Sequence, residues 1–458
     1  MSPRADMTLF TRAFPVAVSV CLAGGVLSAA RPHYGGTLRI ETGSIMRHVN
    51  ALAYETLVAI DAAGGVRPVL ARSWTGDARG RRWTFHLRPD VVLHDGSILQ
   101  PAQVAAALQA LHADWQITPD ADAVAIDLGH DAPGLPWELA DSSNAIGIRL
   151  SAGAQIGSGP FRVERVDAGT IVLRAHDDYW DSRPFLDAIE LRMRAATDQL
   201  TDLETGRADM VPIQPTDVRR VEQRQMRIEA SRPLQLVVLA FEAPFASPAN
   251  DAIRRTFATA IDRGAIARVV LQGRAEPADG LLPEWISGYA PFVLVRTASS
   301  MRPPAIAALA ADRRTLALRV GPADPMAQAI AQRIAVNARD AGFTVNVQAP
   351  AGLGPRFDVR LLRVPFRAAT PADALTDVMT GIGARTITLV GRVDTPDGGA
   401  PVETVLATER ALVARDIVVP IVHVPELYAL SGRVQSWNGP VVLPDGAWNL
   451  ANVWVSPP

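Results

Sequence analysis

Between Arg81 and Leu87 the chain alternates, with Trp83, Phe85 and Leu87 on one side and Arg82, Thr84 and His86 on the other. That period of two predicts a strand with one buried face. His94-Asp95-Gly96 then signals a turn, and Gln100-Pro101 opens an Ala-rich stretch that predicts a helix to His112. Proline suits the first helical turn, where its missing N–H had no partner. Upstream, Tyr34-Gly35-Gly36-Thr37-Leu38-Arg39-Ile40 reads as a turn entering a first strand. The run YETLVAIDAAGGVRPVLARSW from Tyr54 predicts a helix end, a hairpin through Gly64-Gly65 and a helical turn to Trp74. Ala123 to Leu128 reads as a short strand and Pro133 to Leu139 as a helix.

Ile156-Gly157-Ser158-Gly159-Pro160-Phe161 punctuates the pattern before two strands joined at Ala168-Gly169. Ile189 to Met193 alternates again, a helix is expected to end at Gly206, and Leu234 to Phe241 is a strongly apolar strand. Ala252 to Ala267 predicts a helix with Ile253, Phe257, Ala260 and Ile261 on one stripe. Strand Thr315–Val320, helix Pro325–Ala341 and strand Thr344–Gln348 form a βαβ unit. Such a unit implies a parallel pair, because the helix carries the chain back. The expectation is an α/β protein with mixed sheets and helices on both faces.

Composition narrows the function classes. The 458 residues, 48% hydrophobic, suffice for two or three domains. A formal net charge of -2 gives no basic field for nucleic acid. The chain contains no lysine, so all 45 basic residues are arginine. That excludes Schiff-base lysines, P-loop lysines and Ser-x-x-Lys nucleophiles. Cys21 is the one cysteine, so no intrachain disulfide can form. It sits in FPVAVSVCLAGGVLSAA, preceded by Arg4 and Arg12, a pattern expected of a signal peptide cut near Ala30. The competing reading makes Cys21 a lipidated anchor, although Val18-Ser19-Val20 suits that processing poorly.

Several separated stretches together resemble one family, the extracellular solute-binding proteins of family 5, the peptide/nickel-type capture subunits of ABC importers. They are YGGTLRI (34–40), YETLV (54–58), PVLARSW (68–74), RRWTFHLRPDVVLHDGSILQPAQV (81–104), IGSGPF (156–161), DDYWDSRPFLDAIELR (177–192), LETGRADM (203–210), residues 253–283 and VPIVHVPELYALSG (419–432). The resemblance implies a bilobal periplasmic-binding-protein type II fold, with hinge crossovers and an extra subdomain. It assigns 31–50, 155–238 and 435–458 to the first lobe, 51–154 to the subdomain and 239–434 to the second lobe. It further implies an exported, periplasmic, monomeric protein that catalyses nothing and needs no cofactor. Such a protein would hand a solute, most simply an oligopeptide, to importer permease subunits. A member degenerated into a sensory or interaction module is the alternative.

In such a fold the cleft candidates are Thr42, Gly43 and Ser44 after the first strand, Phe241 and Glu242 where the chain is expected to change lobes, and Arg363, Phe366, Arg367 and Asp373 in the second lobe. The family's Leu-Asp-Pro loop is missing from Glu41 to Asn50, and residues 356–379 lack its tryptophan. Ligand identity therefore does not carry over. His94 beside Asp95 reads as part of a scaffold corner rather than an acid–base pair. His176-Asp177-Asp178 with Asp181 reads as a solvated acidic face, because no further ligand has metal-site spacing. Gly157-Ser158-Gly159 lacks the nucleophile-elbow spacing, and Pro160 would block the helix that the elbow requires. Trp74, Trp83, Trp437, Trp448 and Trp454 are all expected to pack into cores.

Overall fold

The computed structural model describes residues 32–43, 45–61, 65–149, 155–243, 245–288, 314–349, 357–366, 370–391, 393–396 and 400–456, with residue 47 described in its backbone alone. The segment expected to be a signal peptide, Ser44 and Arg367 lie outside the described residues.

The alternation that predicts strands places most of them. Strand β1 (Thr37–Thr42) leads to helix α1 (Met46–Ala53). An inserted antiparallel sheet follows, from β2 (Ala71–Gly76), β3 (Arg82–Leu87), β4 (Gln116–Pro119) and β5 (Ala123–Asp127) in the order β2-β3-β5-β4. Helix α2 (Pro101–Leu111) covers it, burying Val104, Ala105 and Leu108. The expected helical turn to Trp74 is instead β2. Trp74 pairs with Phe85 across the β2–β3 ladder, and pairing with the amphipathic β3 overrides local preference. Trp83 also packs half-buried against this core, which contains Phe85, Leu87, Val124 and Ile126.

The chain then returns through β6 (Phe161–Asp167), β7 (Thr170–Ala175), β8 (Ala188–Met193), helix α3 (Ala196–Glu204) and β9 (Met210–Ile213). Next comes β10 (Arg227–Phe241), 15 residues long. Helix α4 (Asp251–Ala260) is shorter than its stripe predicts. Ile261 is extended, and the Asp262 side chain accepts from Ala265 N–H at 2.7 Å to cap a new short turn. The capping residue wins over the apolar period. The βαβ unit is present as β11 (Thr315–Arg319), α5 (Pro325–Asp340) and β12 (Thr344–Gln348), with β11 and β12 parallel. After β13 (Val359–Pro365), helices α6 (Pro371–Ile382) and α7 (Ala384–Val390) precede the 13-residue strand β14 (Val418–Leu430).

These strands join in one 11-stranded sheet, ordered β6-β7-β8-β1-β9-β14-β10-β13-β11-β12, with Glu276–Pro277 added beside β14. Its two halves cover different cores. Leu38, Ile40, Phe161, Leu173, Leu191, Tyr428 and Leu430 belong to the first. Leu236 to Leu239, Phe241, Phe257, Ile330, Phe343, Leu375 and Ile421 belong to the second. Strand β14 contributes to both, and β10 pairs along it, with Leu236 to Phe241 in the second core and Ile228 against a further cluster around Leu427 and Ala429. Trp448 and Trp454 are buried, as expected of core residues, whereas Trp437 is 64% exposed and packs into none of the cores.

The Ile156–Phe161 segment seats the inserted sheet on the first half. A methyl added at Gly157 would sit 2.0 Å from the Ala53 carbonyl oxygen, and one at Gly159 would sit 2.5 Å from that of Leu52. Neither neighbour can retreat, since both are backbone. Gly159→Ala is therefore expected to lower stability by roughly 2–3 kcal/mol, the cost typical of forcing atoms into a filled site. Urea unfolding of the variant checks this.

Candidate functional site

The site follows from strand directions. β1 is parallel to β9, and β9 is antiparallel to β14, with Met210 opposite Leu430 and Ile213 opposite Leu427. The carboxyl ends of β1 and β9 therefore aim at the second half of the sheet. From the other side, β13 ends with Pro365 opposite Gln235 of β10. Three strands thus present their carboxyl ends toward one place, the position where α/β sheets bind ligands.

That place is where β10 and β14 pass between cores. Arg227 to Ala230 pair with Leu430 to Leu427, and Gln235 onward pairs with Val424 onward. Between them the register slips twice, and Pro233 stands opposite Pro425. Neither proline can donate to the ladder. Substitutes hold the chain there: Glu426 N–H donates to Ser231 Oγ at 2.9 Å, Arg232 N–H to the Pro444 carbonyl at 2.9 Å, and Trp285 Nε1–H to the Pro233 carbonyl at 2.9 Å.

This corrects the expected crossing at Phe241-Glu242. The passage lies at Ser231–Pro233, and Phe241 is roughly 26 Å further along at about 3.3 Å per residue. Phe241 is fully buried, edge-to-face with Phe257 at 5.8 Å. Phe366 is also buried, tilted against His423 at 6.1 Å. Both are core residues, because their faces of the sheet lie under helices. Glu242 is mostly buried and accepts from Arg360 Nε at 2.9 Å, far from the passage.

The other described candidates, Thr42, Gly43, Arg363 and Asp373, stand at a strand end, on β13 beside Gln235 and at the start of α6. Thr42 is buried at the end of β1, its carbonyl accepting from Arg194 N–H at 3.4 Å, and Gly43 is exposed beside it. Arg363 donates to Gln235 Oε1 at 2.7 Å and to Asp324, the α5 N-cap, at 3.1 Å. Asp373 sits in the first turn of α6, its N–H donating to the N-cap Thr370 at 3.2 Å. The Asp373 charge reaches Glu138 of the inserted part. Burial raises the Glu138 pKa, His112 pulls it down and Asp373 pushes it up again.

Sequence reasoning missed Glu41 and Glu138. Glu41 falls on the polar side of the β1 alternation but is 1% exposed, covered from α3 by Asp202. Burial and the neighbouring Asp202 carboxylate raise its pKa, against Arg194 at 3.9 Å. Its Oε2 has no hydrogen-bond partner among the described residues. A strand pattern alone carries no sign of a helix laid over its polar face.

A separate pocket of about 580 Å³ lies within the second half, lined by Glu242, Arg319, Phe357, Arg360, Leu362, Ile382 and Arg385 among others. Among the described residues no three His, Cys, Asp or Glu side chains gather as metal ligands, and no helix is long and apolar enough to cross a membrane.

The sequence pattern of the bacterial extracellular solute-binding proteins, family 5 (middle region), matches residues 65–354. The chain belongs to this family. Among curated relatives, the nickel-binding periplasmic protein of Escherichia coli is 24% identical over 269 residues, 50% of each chain. The oligopeptide-binding protein AppA of Bacillus subtilis is 29% identical over 126 residues, 27% of this chain and 23% of that one. The match thus spans about half or less of these relatives. Among solved structures, the substrate-binding protein CtaP of Listeria monocytogenes gives a TM-score of 0.75 at 16% identity, covering 92% of this chain and 99% of that one. NikA of Brucella suis in complex with Fe(III)-EDTA gives 0.71 at 18% identity, covering 92% and 100%. The fold is that of the bilobal type II binding proteins, and the family is one of binding proteins rather than enzymes.

Within this family fold, the His94-Asp95-Gly96 corner is scaffold. Gly157 N–H donates to His94 Nδ1 at 3.3 Å, and His94 Nε2 faces the Gly159 carbonyl at 3.0 Å, a pattern that fits the neutral ring. Asp95 accepts from Ser97 N–H at 3.0 Å, and Gly96 has φ 86°. Burial lowers the His94 pKa to about 4, and burial does the same to His423. Glu55 moves the other way. Fully enclosed, it accepts from Ser158 and Tyr179 at 2.8 Å and from Trp180 at 3.0 Å, and burial still pushes it up to about 7.

The signs oppose. Below pH 6.5 the unfolded histidines take up protons that the native ones refuse, so stability falls until about pH 4. Between pH 7 and 4.5 native Glu55 binds a proton that the unfolded carboxylate does not, so stability rises. Glu55→Gln removes only the rise. Relative to wild type, the variant is expected to lose stability progressively from pH 7 to 4.5, by up to about 3 kcal/mol at about 1.4 kcal/mol per pKa unit. Denaturant midpoints across that range test it, and a pH-independent difference would contradict the assignment.

Proposed function

We propose that the protein captures a small polar solute between its two lobes, closes on it by bending at Ser231–Pro233 and Pro425–Glu426, and delivers it to an ABC importer. The observation that carries this reading is the pairing of Pro233 with Pro425 in the two strands that run through both lobes. The ladder loses a donor on both strands where bending would be needed, whereas the further irregularity at Val238–Pro420 removes one on a single strand. The lobes are taken as 31–50, 155–230 and 427–458 for the first, with 51–154 attached, and 233–425 for the second. A peptide-like solute fits best. Main-chain hydrogen bonds from strand ends would hold an extended backbone, with Thr42 and Gly43 on one side and Arg363 and Asp373 on the other. Phe241 and Glu242 have no part in it. Relatives described as oligopeptide-, dipeptide- and nickel-binding supply the solute classes to be screened. The protein acts outside the cytoplasmic membrane as a monomer, without a catalytic step.

Calorimetry against short peptides, with nickel chelates as the competing class, tests the capture. X-ray scattering with and without bound solute tests the closure. The expected result is binding of a peptide with a measurable fall in radius of gyration. Arg363→Gln is expected to weaken that peptide about tenfold, the loss of one charged hydrogen bond. A bound solute that leaves scattering unchanged would sink the hinge reading.

A further inference from the structure

We propose that the second lobe has a ligand site of its own, the Arg360 pocket, suited to a small monocarboxylate with an apolar body. All of the residues named as lining it lie between Glu242 and Arg385, so a ligand there needs neither the first lobe nor closure. At about 580 Å³ the cavity is in the size range of small-molecule sites.

The polar part is built around one fixed guanidinium. Arg360 Nε donates to Glu242 at 2.9 Å, and Nη2 donates to the Ile382 carbonyl and to Thr386 Oγ1, both at 2.9 Å. These partners come from β10, α6 and α7, so the arginine is held in place before any ligand arrives. Its Nη1 has no partner among the described residues. A planar guanidinium locked on two nitrogens and open at the third is a pre-ordered carboxylate donor. Arg385, exposed on α7, lines the same pocket and has no hydrogen bond or ion pair among the described residues. Arg319 adds a third positive charge, its guanidinium over the Phe357 ring at 5.0 Å. Three arginines against Glu242 leave a net charge of +2 in the lining (3 − 1).

The remaining walls decide the rest of the ligand. Pro322, Phe357, Leu362 and Ile382 are apolar and suit a hydrocarbon body. Glu242, held on the Nε of the same guanidinium, disfavours a second negative charge on the ligand. A phosphate ester or dicarboxylate therefore fits less well than a monocarboxylate.

Octanoate, with neutral octanamide as its shape-matched control, tests the site by calorimetry and ligand-observed NMR on the full chain. Octanoate is expected to bind more weakly as salt rises, and octanamide at least tenfold more weakly than octanoate. Arg385→Gln should weaken octanoate about tenfold with an unchanged thermal midpoint, since that side chain holds nothing else in the described structure. Leu362→Trp, filling the cavity, should abolish binding while the protein still melts cooperatively. No octanoate binding at millimolar concentration, equal binding of acid and amide, or octanoate binding unchanged in both variants would each overturn the proposal.

Discussion

The architecture rests on two long strands lying side by side. β10 and β14 pair along almost their whole length, and β14 supplies side chains to both cores. A ladder of this length would ordinarily be stiff, since every backbone donor in it is paired. Opposing Pro233 with Pro425, with a register slip on each side, removes that stiffness over about three residues. The passage is then held by a serine hydroxyl, a loop carbonyl and a tryptophan N–H. Those bonds can be kept through a small rotation more easily than a continuous ladder can. The dense packing on either side cannot deform in the same way, because interiors are close-packed solids. In the proposed hinge, dense halves and an interrupted ladder thus come from the same pair of strands.

The absence of lysine gives the interior a particular character. Where buried carbonyls need a donor, an arginine fork supplies it. Arg254, fully buried, donates to the carbonyls of Phe245, Ser247 and Arg415, and Arg263 donates to that of Pro420 at 2.8 Å. Burial lowers the pKa of both, though a guanidinium stays charged. Asp209 shows the complementary use. It is 1% exposed and accepts from Arg39 at 2.9 and 3.0 Å and from Arg433 at 3.2 Å, pinning β1 to the loop after β14. Removing one partner from such a group would strand a buried charge, which costs far more than the intact pair contributes.

The legible features were those with a local cause. The period of two in β3, the proline opening α2 and the βαβ unit around α5 each follow from residues within one window. The His94 corner was readable as scaffold because Asp95-Gly96 is a turn signal in its own right. What escaped depends on distant partners. Nothing in ARSWTG favours a strand until β3 is placed beside it. The crossing was placed late because LQLVVLAFE ends abruptly at a proline-rich stretch, whereas the break in the ladder is the quieter Arg232-Pro233, whose meaning comes from Pro425 almost 200 residues later. Glu41 escaped because α3, covering it, makes a polar position into a buried one.

The same distinction governs what the site can recognise. The residues proposed to meet a solute are already engaged: Arg363 with Gln235 and Asp324, Asp373 with Thr370, Thr42 through its carbonyl. A solute arriving there would meet mostly backbone at strand ends, and backbone groups read an extended chain without reading its side chains. Selectivity must then come from charge. The first half offers the Glu41–Asp202 carboxylates, held between Arg194 and Arg207. The inserted part offers Glu138, whose pKa the Asp373 charge of the second half helps to raise. Glu138 and Asp373 repel each other, whereas the Glu41–Asp202 carboxylates are offset by their two arginines, and a cationic group beside Glu138 and Asp373 would relieve that repulsion. Since a ligand can shift a conformational equilibrium only through its differential interaction with the two states, that relief would favour the closed form for a solute carrying a positively charged end.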